Sequence, residues 1–151
     1  MNDFAKDERT TGGRTAPSLL YMVKRLELAV RSNLDDIVRP AGVTALQYTA
    51  LTVLERHDGL SAAQLARDSF VTAQSMADMV RTLEGRGLIR RERNPASRRE
   101  LLIHLTDAGR ALLAELAEPV RLLERRMLDE LTARQEEQFR LALSRAWRSL
   151  A

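Results

Sequence analysis

The sequence predicts a mostly α-helical protein with one small β-hairpin, and three observations carry that prediction. Apolar residues recur at three- and four-residue spacing over most of the chain, and aromatics make up only 4% of it, a mix that favours helix over sheet. Ser or Thr followed three residues later by Gln opens several of these stretches, the signature of a capped helix start. Near the middle, two short helical stretches, residues 61–68 and 72–85, precede an alternating, arginine-rich hairpin at 88–93 and 100–105. Two helices across a tight turn, with a basic hairpin behind them, make a winged helix-turn-helix.

Taken in order, residues 1–16 are polar, centred on Thr10-Thr11-Gly12-Gly13, and read as a flexible tail. Residues 17–38 form the first helix. Pro17 suits its first position, and Leu20, Val23, Leu26, Val30, Leu34 and Ile37 make one stripe. Pro40 and Gly42 end it. Thr44 and Gln47 cap the second helix, residues 44–56, with Leu46, Ala50, Val53 and Leu54 as its buried face. Ser61 and Gln64 cap the third, where Ala62, Leu65 and Ala66 pack.

Residues 69–71 are the turn. Thr72 caps the fourth helix, with Met76, Val80 and Leu83 inward and Gln74, Ser75, Asp78, Arg81 and Thr82 outward. Gly85-Arg86-Gly87 ends it. The alternation of Leu101, Ile103 and Leu105 marks a half-buried strand, and residues 94–99 are its loop. A long helix over 106–131 follows, with a kink or break expected at Pro119. Thr132 and Gln135 cap the last helix, which carries Phe139, Leu143, Ala146, Trp147 and Leu150 on one face.

The 151 residues suffice for one domain with a real core. Lys plus Arg is 24 and Asp plus Glu is 21, a net of +3. Residues 81–100 alone hold seven Arg and three Glu, a net of +4, which leaves the remainder at −1. Such concentration is the footprint of a polyanion-binding patch. No apolar run approaches the roughly 20 residues of a membrane span, and the tail lacks the apolar core of a signal peptide. With no Cys, a cytoplasmic location is expected. His57 and His104 are isolated, so each reads as a surface or capping residue; no metal or cofactor is expected.

Three segments carry a family resemblance. They are Val43-Thr44-Ala45-Leu46-Gln47, then Leu83-Glu84-Gly85-Arg86-Gly87-Leu88-Ile89-Arg90-Arg91, and finally Asn94-Pro95-Ala96-Ser97-Arg98-Arg99 with Leu105-Thr106-Asp107-Ala108-Gly109-Arg110. In these, and in the order of its elements, the chain after the tail resembles the MarR (multiple-antibiotic-resistance regulator) family of transcription factors. The resemblance implies one domain over 17–151. Its winged lobe covers about 44–105, and dimerisation helices cover about 17–39 and 106–150. Two positions depart from the family pattern: Ser97 stands where an Asp usually precedes the wing-tip Arg, and Asp78 stands where the recognition helix often carries Arg.

A sequence-specific regulator of this kind, expected to be a repressor, reads base edges from the start of its recognition helix. Gln74 suits adenine, while Thr72 and Ser75 suit bases or phosphates. Ser61 is placed for the backbone, Arg81 for a phosphate or for Glu84, and Arg98 and Arg99 for the minor groove. A pseudo-palindromic double-stranded operator demands a two-fold protein, and the long stripes of the first and last two helices suit an isologous homodimer. The resemblance further implies a small aromatic or phenolic effector, for which Tyr21, Arg25 and Tyr48 are candidate residues. A competing reading is a winged-helix module that docks proteins, since Asp78 is acidic on the face expected to read DNA. An enzyme is not expected: no glycine-rich phosphate loop, nucleophile motif or paired-carboxylate site stands out.

Overall fold

The computed structural model describes residues 15–151, and the predicted tail, save its last two positions, lies outside them. Six α-helices run in chain order: α1 (Leu19–Val38), α2 (Ala45–Arg56), α3 (Ala62–Asp68), α4 (Ala73–Gly85), α5 (Asp107–Met127) and α6 (Ala133–Leu150). Three strands complete the fold: β1 (Leu60–Ser61), β2 (Ile89–Asn94) and β3 (Ser97–Leu105). They form one antiparallel sheet in the order β1-β3-β2. No helix among the described residues is long and apolar enough to cross a membrane.

The chain divides into two compact units, one ending at Arg31 and the other spanning Ser32–Ala151. In the first, α1 begins at Leu19 and not at Pro17, because the Ser18 hydroxyl accepts the Tyr21 N–H and supplies the cap. Its Leu19, Leu20, Tyr21, Met22, Val23 and Leu28 side chains are exposed.

The second unit is built on local capping. Thr44, Ser61 and Thr132 each accept the N–H three residues on, and Gln47, Gln64 and Gln135 each accept the cap residue's own N–H. Thr72 and Thr106 cap α4 and α5 with their hydroxyls. The core joins Val38 at the end of α1 to Leu51 and Leu54 of α2, Leu65 of α3, Met76 and Leu83 of α4, Ile103 of β3 and Leu112 and Leu116 of α5. Two expected core positions face out instead: Leu46 is 40% exposed and Ala62 is exposed, while Ala45 and Leu51 are buried. The rest of each predicted face is kept: Ala50, Val53 and Leu54 are buried in α2, and Leu65 and Ala66 in α3.

Strand β1 was invisible to periodicity. It is two residues long, and it exists because Leu60 and Ser61 pair with Ile103 and Leu102. Of the kink or break expected at Pro119, the break does not occur: α5 runs uninterrupted to Met127, four residues short of Leu131. Proline removes a single donor there, while the helix bonds before and after it persist. α6 contributes no fully buried residue. Phe139 is half-buried, and Leu141, Leu143, Trp147 and Leu150 are exposed.

Helices α3 and α4 end in the same motif. After α4, Gly87 takes a left-handed φ of 72° and donates to the Glu84 carbonyl, while Leu88 N–H reaches back to Leu83. After α3, Phe70 takes φ of 61° and donates to Arg67, while Val71 N–H reaches back to Ala66. A side chain in this conformation costs about 1–2 kcal/mol.

One close approach orders the lobe. A Cβ built on Gly109, in the first turn of α5, would lie 2.3 Å from the Leu88 carbonyl oxygen and 2.7 Å from Leu105 Cδ1. A Cβ on Gly85, by contrast, meets nothing within 4 Å. Gly109→Ala is therefore expected to destabilise the fold by roughly 1–3 kcal/mol. Gly85→Ala should leave it unchanged or raise stability by roughly 0.5–1 kcal/mol, the helical advantage of Ala over Gly. Urea titrations followed by circular dichroism check both; equal midpoints for the two variants would refute the packing argument.

Candidate nucleic-acid interface

The recognition helix is α4, and its two faces separate as the sequence predicts. Met76, Val80 and Leu83 are buried, while Gln74, Ser75, Asp78, Arg81 and Thr82 are exposed. Thr72 accepts the Ser75 N–H at 3.1 Å and so fixes the end of the helix from which Gln74 and Ser75 project. Ser61 has a double duty. It caps α3 through Gln64 and also lies in β1, so the start of α3 is tied to the sheet behind the wing.

The wing differs from its expected form. β2 keeps six residues but is shifted by one, β3 is three residues longer, and the loop is shorter, with only Pro95 and Ala96 between them. Asn94 makes that turn by accepting the Ala96 N–H with its own side chain at 2.9 Å. Ser97, Arg98 and Arg99 thus belong to β3 and not to a loop. The ladder pairs Asn94 with Ser97 and Arg93 with Leu101, so Arg98, Arg99 and Glu100 have no partner opposite them on β2. They form a bulge, a device that re-aims side chains away from the sheet. Both arginines are exposed there.

The arginines of the basic segment have distinct tasks. Arg81 pairs with Asp78, one turn back, and not with Glu84. Glu84 is taken by Arg91, which grips it through two bonds of 2.8 and 2.9 Å. That grip holds the Glu84 carboxyl below its ordinary pKa and ties the recognition helix to β2. Arg90 pairs with Glu92, and Arg86 donates to the Ala41 and Gly42 carbonyls. Arg86, Arg93, Arg98 and Arg99 have no ion pair among the described residues, and the last three lie toward the wing tip.

Ser61, Arg81 and Arg99 come together, with Arg91, around one crevice of about 370 Å³ between α4 and the wing, floored by Val80 and Ile103. Arg91 lies outside the residues that sequence reasoning assigns to the site; its period-two spacing from Arg93 is the available signal. The candidate effector residues divide between the units. In the first unit, the Arg25 guanidinium stands 5.9 Å from the centroid of the Tyr21 ring. In the second, Tyr48 is half-buried on α2, and burial, with the charge of Glu55, pushes its hydroxyl pKa up.

His104 is not the surface or capping residue expected. It lies on β3 with Nδ1 3.0 Å from Asp58 Oδ2, and Nε2 lies 3.4 Å from Glu92. An ionised carboxylate only accepts, so Nδ1 carries the proton. The other Asp58 oxygen accepts the Leu105 N–H at 2.9 Å, locking the turn after α2 onto the base of the wing. Burial pushes the Asp58 carboxyl up. Its bonds from His104 and Leu105, with the Arg110 charge, outweigh that and hold it below the ordinary value.

These features define a winged helix-turn-helix DNA-binding protein. The chain belongs to the MarR family, whose model matches residues 43–101. It is 34% identical over 125 residues to the HTH-type transcriptional repressor Rv2887 of Mycobacterium tuberculosis, which covers 83% of this chain and 90% of that protein. The crystal structure of Rv2887 with salicylic acid aligns at a TM-score of 0.71 and 35% identity, covering 87% of this chain and 97% of that one. The transcriptional repressor CouR bound to a 23-mer DNA duplex aligns at 0.74 and 30% identity, covering 87% and 92%. The protein is thus a DNA-binding transcriptional regulator of the MarR type and not an enzyme.

Asp58 has a depressed folded-state pKa, so its contribution to stability is present above the unfolded value, about 3.9, and is lost as pH falls through the folded one. Asp58→Ala is expected to lower stability by roughly 1 kcal/mol at pH 7, and the difference should be smaller at a pH well below the unfolded value of about 3.9. Urea midpoints at the two pH values test this, and a difference that stays constant on acidification would contradict it.

Proposed function

We propose that the protein is a homodimeric repressor of the cytoplasm that grips a pseudo-palindromic duplex operator and lets go when a small aromatic acid or phenol binds. The observation that carries the DNA contact is the presence of two exposed polar surfaces in one lobe: the start of α4 and the wing arginines Arg98 and Arg99. Gln74 and Ser75 read bases, while Thr72 and Ser61 serve the backbone through the helix starts they cap. Arg98 and Arg99 enter or flank the minor groove. Arg81 exchanges Asp78 for a phosphate, an exchange that costs little because the pair is exposed.

Dimerisation is supported by apolar surface that has no cover. In the second unit, the face of α6 carries Leu143, Trp147 and Leu150 at 45%, 53% and 87% exposure. A stable two-fold interface would bury such a face, and two recognition helices about 34–36 Å apart then match successive turns of DNA. The effector reading rests on the salicylic-acid complex of Rv2887. Arg25, stacked on Tyr21, offers a guanidinium for a carboxylate, and Tyr48 is a separate candidate.

The decisive experiment is a fluorescence-anisotropy titration against duplexes from the gene's own upstream region, with salt varied and competitor DNA present. Tight, salt-sensitive binding that survives competitor is expected; binding abolished by competitor would overturn sequence-specific regulation in favour of protein docking. Arg98→Ala and Arg99→Ala should each weaken binding to all duplexes and reduce the salt slope by about 1. Gln74→Ala should instead change base preference at one position by roughly 1–3 kcal/mol. In sedimentation, the protein should be a dimer that Trp147→Asp converts to monomer. Salicylate should release the duplex from the unmodified protein.

A further inference from the structure

The turn between α3 and α4 holds a residue that the folded chain alone does not account for. The same helix-ending motif occurs twice in the lobe, and at α4 the left-handed position is glycine, as the conformation favours. At α3 it is Phe70, whose φ is 61° and whose side chain is 82% exposed. Its neighbours behave differently: Ser69 is buried and Val71 is half-buried. A phenyl ring in solvent, on a backbone strained by any side chain, contributes nothing to the fold. Glycine or asparagine would relieve the strain at once. Strain of this kind persists where the residue serves a function.

The place of the ring says what that function is. Phe70 precedes by two residues the Thr72 cap of the recognition helix, at the end from which Gln74 and Ser75 project. No other large apolar side chain is exposed on α3 or α4. A single aromatic ring among exposed polar groups such as Arg67, Asp68 and Thr72 is too small a patch for a protein partner. It suits the apolar features that duplex DNA shows beside its phosphates.

We propose that Phe70 is an apolar DNA contact, packed against deoxyribose or a thymine methyl where the start of α4 enters the major groove. The proposal rests on the DNA-binding reading above. It implies a trade of stability for affinity at one position, so stability and binding move in opposite directions when the ring is removed.

The probe is a duplex that the unmodified protein selects from a randomised library. Phe70→Gly should raise the thermal midpoint by about 2–4 °C and weaken binding roughly tenfold, about 1.4 kcal/mol. The salt slope should stay unchanged, because no phosphate contact is lost. Phe70→Asn, stiffer than glycine, should show the same loss, and Phe70→Tyr should retain affinity. Replacing each thymine by uracil separates the two sources. A loss in the unmodified protein that disappears in Phe70→Gly assigns the methyl, and its absence assigns the sugar. Binding by Phe70→Gly within twofold of the unmodified protein would overturn the proposal. So would a fall in its midpoint, which would place the ring in the fold, or a changed sedimentation mass, which would place it against a second copy. Failure of the unmodified protein to select any duplex would overturn the DNA reading itself.

Discussion

The lobe depends on one crossing. The chain leaving the recognition helix and the chain leaving the wing pass so closely at Leu88 and Gly109 that a methyl group cannot fit between them. Thr106 ties the crossing: its N–H donates to the Leu88 carbonyl, and its hydroxyl donates to Gly87 and accepts from Gly109. Gly87 supplies the left-handed turn that brings the chain there, and Arg86 clamps the same region to the Ala41 and Gly42 carbonyls. The angle between α4 and the wing is therefore fixed by short-range hydrogen bonds at the base of the wing. Its tip is free to be specialised for a ligand.

Electrostatics follow the same division. Composition locates a positive segment, but the structure shows that most of its charge is structural. Arg91 holds Glu84, Arg90 holds Glu92, and Arg86 holds two carbonyls. Arg93, Arg98 and Arg99 are engaged in none of these contacts, and the last two have no partner on β2 in the ladder. The count of seven arginines overstates the charge free to meet phosphates, because each internal pair cancels at short range before a polyanion arrives. Ser97 fits this picture. It pairs with Asn94 across the turn, so the tip is shaped by backbone register even without the acidic residue that usually precedes the arginine.

What was legible in the sequence was what is local. The reciprocal caps at Thr44, Ser61 and Thr132 form as their spacing requires, because a cap needs only the next three residues. The inward face of α4 follows from a period that no distant contact alters. Positions set by distant partners were not legible. β1 is a strand only because β3 lies beside it. The wing loop shortened because Asn94 closes a two-residue turn, and the ladder then had to accommodate three surplus residues as a bulge. His104 looked isolated because Asp58, its partner, is 46 positions away. Of the candidate site, Ser61, Arg81 and Arg99 converge, but Arg91 emerged only from its grip on Glu84.

The apolar surface left uncovered in the second unit has two physical characters, and they suit different partners. On α6, Leu143, Trp147 and Leu150 recur at helical spacing and are exposed together, an apolar face of the kind a second polypeptide would cover. At Phe70 the apolar surface is one ring, held out at a conformational cost and surrounded by polar groups. Area drives the first kind of contact, whereas position drives the second: a ring beside the capped start of α4 can discriminate only among surfaces that α4 itself approaches. A regulator of this design keeps the two functions apart in the chain. The helices that would join two copies carry the apolar area, and the winged lobe carries polar side chains, the exposed arginines of the wing tip and a single strained aromatic.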